Sequence, residues 1–172
     1  MEDSKIKNVR KMVLCSLFAA LTAVCAWISI PIPPVAVTLQ TFGVLMALGV
    51  LGGNWGTVSI LIYLAMGLVG LPVFAGFRGG AGALLDATGG FLWGFALGGL
   101  AYRLTEKLGK LPAFVLCQLT CYICGCLWFS RWANCGMGAA VLACVAPWLI
   151  PDALKLALAL HLSGRIGRQL KK

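Results

Sequence analysis

The chain has 172 residues, 60% of them hydrophobic and 11% charged, with a mean hydropathy of +0.94. A charged share about half that of soluble domains excludes a soluble globular protein. The net charge of +9 would suggest nucleic acid in a soluble chain, but the cations are gathered at the ends of apolar runs, which excludes that partner and points to lipid.

The N-terminus places Lys5, Lys7, Arg10 and Lys11 ahead of 66 consecutive positions, Met12 to Phe77, without an Asp, Glu, Lys or Arg. One bilayer crossing takes about 20 residues, so this run alone holds several. The first apolar stretch is of spanning length and lacks an A-x-A cleavage pattern, so it is read as a retained helix rather than a signal peptide. On it, Ser16, Ala19, Ala23 and Ala26 make a stripe of small residues, a surface on which another helix can pack closely.

Six spans are predicted, at 12–30, 38–52, 55–70, 88–104, 111–131 and 151–168, in a single transmembrane domain over 1–172. With the N-terminus cytoplasmic, the basic break at Arg103, Lys107 and Lys110 and the closing Arg165, Arg168, Lys171 and Lys172 all fall inside, as the positive-inside rule requires. Both termini are then cytoplasmic. The apolar stretch 136–150 is not counted, because only about ten residues precede Pro147 and a seventh crossing would strand the C-terminal cations outside.

Outside lie "PIPPVAVTLQ" (31–40), "LPVFAGFRGGAGALLDATGG" (71–90) and "SRWANCGMG" (130–138); "GGNW" (52–55) is a tight inside turn. The second outer loop, between helices 3 and 4, is long for so economical a chain and reads as a lid, with Phe74, Phe77 and Leu84 arguing that it is ordered. Gly90, Gly94 and Gly98 recur every four residues, a helix-packing face within the bundle.

Most of the eight cysteines sit inside apolar segments and read as small fillers. The "CYICGC" run (121–126) has a C-x-x-C spacing, but the single histidine, His161, is in another segment, so no metal and no cofactor are expected.

Ionisable groups in a membrane protein are costly and mark candidate sites. Asp152 and Lys155 stand in the first turn of the last helix; Arg78 and Asp86 lie in the long outer loop. Asp152 following Pro151 suits a helix start and its dipole. Lys155 opposes that dipole, unless it pairs with Asp152 or snorkels. The functional reading turns both into an outward-facing cavity roofed by the long loop, with Phe74, Tyr122, Trp128 and Trp148 available to cover the apolar part of a ligand. No G-x-x-x-x-G-K-[ST] occurs, so the chain has no ATP-binding loop of its own, and His161 stands about 14 Å along the helix from Asp152, too far for acid–base cooperation. An enzyme is not expected.

The segments "PIPPVAVTLQTFGVLMALGVLG" (31–52), "GLPVFAGFRGGAGALLDATGGFLWGF" (70–95), "YICGCLW" (122–128) and "PWLIPDALKLALA" (147–159) resemble the BioY family, biotin-specific S components of energy-coupling factor (ECF) transporters. The resemblance implies a six-helix protein of a prokaryotic plasma membrane that captures biotin from outside, with a transmembrane coupling subunit and two cytoplasmic ATPases driving uptake. It implies Asp152, Lys155 and Arg78, with Gly79 and Gly80, as ligand contacts, and an A-x-x-x-A face at Ala19 and Ala23 that docks the coupling subunit. Asp152 is assigned to the ureido N–H groups; Lys155 takes the ureido oxygen or the carboxylate, and Arg78 is the other candidate for the carboxylate. Where the family reads G-P-T-G-G, this chain has Asp86, Ala87, Thr88, Gly89 and Gly90, an added acid beside the entrance. The alternative class is a solitary secondary transporter, proton-coupled, or a channel, which the lack of intramembrane carboxylates beyond Asp152 opposes.

Overall fold

The computed structural model describes residues 2–32 and 35–170. Pro33 and Pro34 of the first outer loop, and Lys171 and Lys172, lie outside the described residues. The chain is almost entirely helical: α1 (Glu2–Trp27), α2 (Gln40–Leu68), α3 (Ala81–Leu85), α4 (Gly89–Thr105), α5 (Lys110–Trp132), α6 (Met137–Cys144) and α7 (Leu149–Gln169). Among the described residues, four stretches are long and apolar enough to cross a bilayer, Asn8–Trp27, Gln40–Leu68, Lys110–Trp132 and Met137–Gln169. It is a multi-pass membrane protein.

Helix α2 is not one rod. Gly52 has φ 81° and ψ 171°, a conformation glycine alone adopts freely, and it breaks the helical path. Gln40 Nε2 donates to Tyr63 Oη at 2.8 Å, although 23 residues of straight helix would separate them by about 35 Å. The chain therefore doubles back at Gly52, within the turn predicted from "GGNW".

This folded-back α2 is the centre of the fold, with α1, α4 and α7 packed on it and α5 packed along α4. Buried residues on α1 recur at Cys15, Phe18, Ala19, Thr22, Ala23 and Ala26, a helical period that places one face against α2. Ala19 and Ala23, expected as a docking face, are 1% and 5% exposed and lie on the side of α1 that packs on α2. The reason is close approach: a side chain at Gly43 would meet the Thr22 backbone at 2.8 Å, so the small stripe is what lets α1 press onto α2.

The glycine face of α4 packs as expected. A Cβ at Gly94 or Gly98 would meet Cys121 Cα or the Cys117 carbonyl oxygen, each at 2.9 Å, and one at Gly90 would meet Trp128 Cβ at 2.2 Å. The cysteines of α5 are accordingly the small partners of that face, and Cys121 Sγ–H bonds the Gly94 carbonyl at 3.2 Å.

The charges at the α2 turn are placed by sign. Glu106 accepts the Gly53 N–H at 2.7 Å, at the positive start of the second arm, while Lys110 Nζ donates to the Gly49 carbonyl at 2.8 Å, at the negative end of the first. Lys110 also reaches the Ser163 carbonyl at 3.4 Å, and Lys11 lies 5.7 Å from the Trp55 ring centre, so the basic clusters of α1, the 103–110 break and α7 converge on one end of the bundle. Replacing Glu106 by Ala is expected to cost about 1–2 kcal/mol, the scale of a charge-assisted bond at a helix start. A thermal unfolding midpoint equal to wild type would contradict this.

At the other end the chain departs from pure helix. Ser29–Ile30 (β1), predicted as the end of the first span, and Val37–Thr38 (β2), predicted at the junction of the first outer loop and the second span, form a two-stranded antiparallel pair, helped by the β-branched Ile30, Val37 and Thr38. The 71–90 loop is built, with a 3-10 turn at Ala75–Phe77 and the short α3. Phe74 and Leu84 are buried, whereas Phe77 is 64% exposed and stacks on Trp27 with ring centres 5.2 Å apart. The uncounted stretch 136–150 becomes α6, an eight-residue helix of about 12 Å packed on α5, and a 3-10 turn at Ala146–Trp148.

Candidate functional site

A cavity of about 330 Å³ opens at the end opposite the basic clusters, between the start of α2 and helices α4, α5 and α7, with residues 31–32, 35–38 and 74–78 at its rim. Its volume falls at the low end of small-molecule sites. Its wall is mostly apolar, with Phe74, Phe91, Phe95 and Trp148 among the lining residues, and a few polar groups interrupt it: Gln40, Arg78, Gln118, Tyr122, Asp152 and Lys155.

Asp152 is 8% exposed and organises this polar set. Although it lies in the first turn of α7, its side chain does not cap that helix. It turns toward α5, where Gln118 and Tyr122, four residues apart and so on one face, both donate to Oδ2, at 3.1 and 2.7 Å. Lys155 Nζ donates to Oδ1 at 2.7 Å. Asp152 thus keeps its place in the first turn of α7, while its side chain bonds to α5 and Lys155. A buried carboxylate is retained here because a cation and two neutral donors satisfy it.

The lone-pair count constrains what the site can do. A carboxylate accepts about four bonds, and three are taken by the chain itself, leaving one place on Oδ1. Gln118 spends its amide nitrogen on Asp152, so its carbonyl oxygen is the group left to accept. Gln40 is oriented the same way, since Tyr63 Oη donates to the Val73 carbonyl at 3.2 Å and so accepts from the Gln40 amide. The indole N–H of Trp148 is buried without a partner.

Of the residues predicted from sequence, Asp152, Lys155, Arg78, Phe74 and Tyr122 line this one cavity, as does Trp148. Trp128 does not; it backs Gly90 of α4 and donates Nε1–H to the Asp86 carbonyl at 2.9 Å. Gly79 and Gly80 do not line it either. A Cβ at Gly79 would meet the Leu71 carbonyl oxygen at 2.2 Å, and Gly80 N–H bonds the Gly67 carbonyl at 2.7 Å, so the pair pins the loop onto the end of α2. Gln40 and Gln118 were missed. The available signal was Gln118 as the one amide side chain inside the 111–131 apolar run.

The BioY family model matches residues 1–172. The chain belongs to the BioY family. A probable biotin transporter BioY of Pyrococcus horikoshii is 38% identical over 159 residues, covering 92% of this chain and 97% of that one. The biotin transporter BioY of Thermotoga maritima is 47% identical over 99 residues, 58% of this chain and 59% of its own. A crystal structure of the S-component for biotin from an ECF-type ABC transporter superposes with a TM-score of 0.82 at 24% identity, over 96% of this chain and 93% of that one, and so shares the fold. Members of this transporter family are not enzymes.

Proposed function

We propose that this chain is the biotin-binding S component of an ECF transporter in a prokaryotic plasma membrane. The observation that carries the reading is the cavity itself: an apolar hollow in a BioY chain, with one buried carboxylate, two cations and two oriented amide carbonyls in its wall. Biotin has matching parts, a ureido ring with two N–H donors and one acceptor, an apolar bicycle and chain, and a terminal carboxylate.

The three bonds already made to Asp152 leave room for one ureido N–H on its Oδ1; the second N–H goes to the carbonyl of Gln118. Lys155, whose ammonium has further donors, takes the ureido oxygen. Phe74 and Phe91 cover the apolar middle, and Arg78 takes the carboxylate. Gly79, Gly80 and Trp128 serve this site indirectly, by holding the loop and the α4 wall.

The membrane arrangement we infer has six crossings, counting α1, the two arms of α2, α4, α5 and α7, with both termini on the cytoplasmic side. The gathering of Lys11, the 52–55 turn, the 103–110 break and Ser163 at one end supports it. The cavity then faces outward. A coupling subunit with its two ATPases meets α1 on the exposed side occupied by Leu17, Ala20, Leu21 and Val24, since Ala19 and Ala23 are spent on α2.

Equilibrium binding of labelled biotin to the purified chain, with lipoate and riboflavin as competitors, tests the reading. Biotin is expected to bind and the competitors not to displace it. Arg78→Ala and Lys155→Ala should each weaken binding at least about tenfold, the cost of losing a charge-assisted contact; wild-type affinity in both would remove the site. Uptake in a biotin-requiring host should need the coupling subunit and ATPases, whereas uptake by the chain alone that a protonophore abolishes would favour the solitary transporter.

A further inference from the structure

Arg78 reaches the cavity from the loop, and three of its five guanidinium N–H groups are engaged within that loop. One terminal nitrogen pairs with the Asp86 carboxylate, the other bonds Thr88 Oγ1 at 3.3 Å, and Nε–H bonds the Ala75 carbonyl at 3.3 Å. Asp86 is itself fixed. Its Oδ1 accepts the Ala87 N–H at 2.7 Å, and its carbonyl accepts the Trp128 indole N–H at 2.9 Å. It stands between the end of α3 and the start of α4, whose first residue is Gly89.

We propose that Asp86 is a tethered competitor of the ligand carboxylate for Arg78, displaced when an acid binds. The inference rests on the reading of Arg78 as the carboxylate partner given above. The cation at the mouth of the apolar cavity already has an anion of the chain as its partner. The pair is solvated, with side chains 46% and 36% exposed, and an ion pair of that kind is weak enough to exchange. The carboxylate of Asp86 therefore competes with every acidic ligand for the charge of Arg78, and it does not compete with a neutral one. It sets how strongly the site prefers an acid, while the backbone carbonyl of Asp86 holds the loop to α5 through Trp128.

The test compares equilibrium affinities for biotin and for its uncharged amide, in the full-length wild-type chain and in Asp86→Asn. Asparagine keeps the oxygen that meets Ala87 and the backbone carbonyl that meets Trp128, and removes only the charge. Biotin is expected to bind the variant about two- to fivefold more tightly, the scale of one exposed ion pair, while the affinity for the amide stays unchanged. Unchanged amide binding also shows that the variant is folded. An unaltered ratio of acid to amide affinity would overturn the proposal. So would weakening of both ligands, which would make Asp86 a structural prop, or of biotin alone, which would make it an aid to Arg78. If the wild-type chain bound neither compound, the biotin reading itself would fail, and this inference with it.

Discussion

Asp152→Ala is expected to abolish biotin binding, by at least about a hundredfold, and to destabilise the fold by about 3–5 kcal/mol, because it strips the partner from a cation that is nearly buried. Lys155 has only 11% of its side chain exposed, and Gln118 and Tyr122 lose their acceptor in the same step. Removing one member of such a pair costs more than removing both, since the charge left behind has no water to return to. The double variant Asp152→Asn with Lys155→Met should therefore recover most of the thermal stability lost by Asp152→Ala while remaining unable to bind biotin. Thermal unfolding and equilibrium binding of the three proteins in one detergent would measure both effects. A double variant less stable than Asp152→Ala would show that the pair is not the source of the loss.

The second large effect concerns the α4 and α5 seam. Gly90→Ala places a methyl group 2.2 Å from Trp128 Cβ and 2.7 Å from the Cys124 carbonyl oxygen, atoms close to the α5 backbone that cannot swing away. The helices must separate, at a cost of about 3 kcal/mol. Separation also displaces the cavity wall, because Phe91 and Leu92 on α4 face Gln118 and Tyr122 on α5 across the same hollow. Binding should fall with stability. Gly138→Ala, in α6 with open space around it, is the control expected to change neither. Wild-type expression and unfolding midpoint in Gly90→Ala would refute the close-packing account.

Much of this was readable beforehand, for reasons that differ by feature. The crossings follow from composition, since charge-free runs of this length have few places to go other than lipid. The turn at Gly52 was legible because two glycines interrupt the helical run between basic clusters that must share a side. Asp152, Lys155 and Arg78 stood out because charge is scarce in this chain, and scarcity makes each one informative. Trp128 and the Gly79–Gly80 pair were legible as important but not in role. A tryptophan and a glycine pair look alike from sequence whether they meet a ligand or hold the loop that does.

The sequence by itself determined a helical membrane chain, the glycine face of α4 and the identity of the charged residues at the cavity. Only the tertiary structure decided which way those residues turn. Asp152 in the first turn of α7 faces Gln118 and Tyr122, Ala19 and Ala23 lie against α2, and Arg78 holds Asp86. The physical reason is that hydropathy and helical period act through neighbours along the chain. The partner of a buried charge is set by which helices pack together, and here those partners lie 30 to 34 residues away for Asp152.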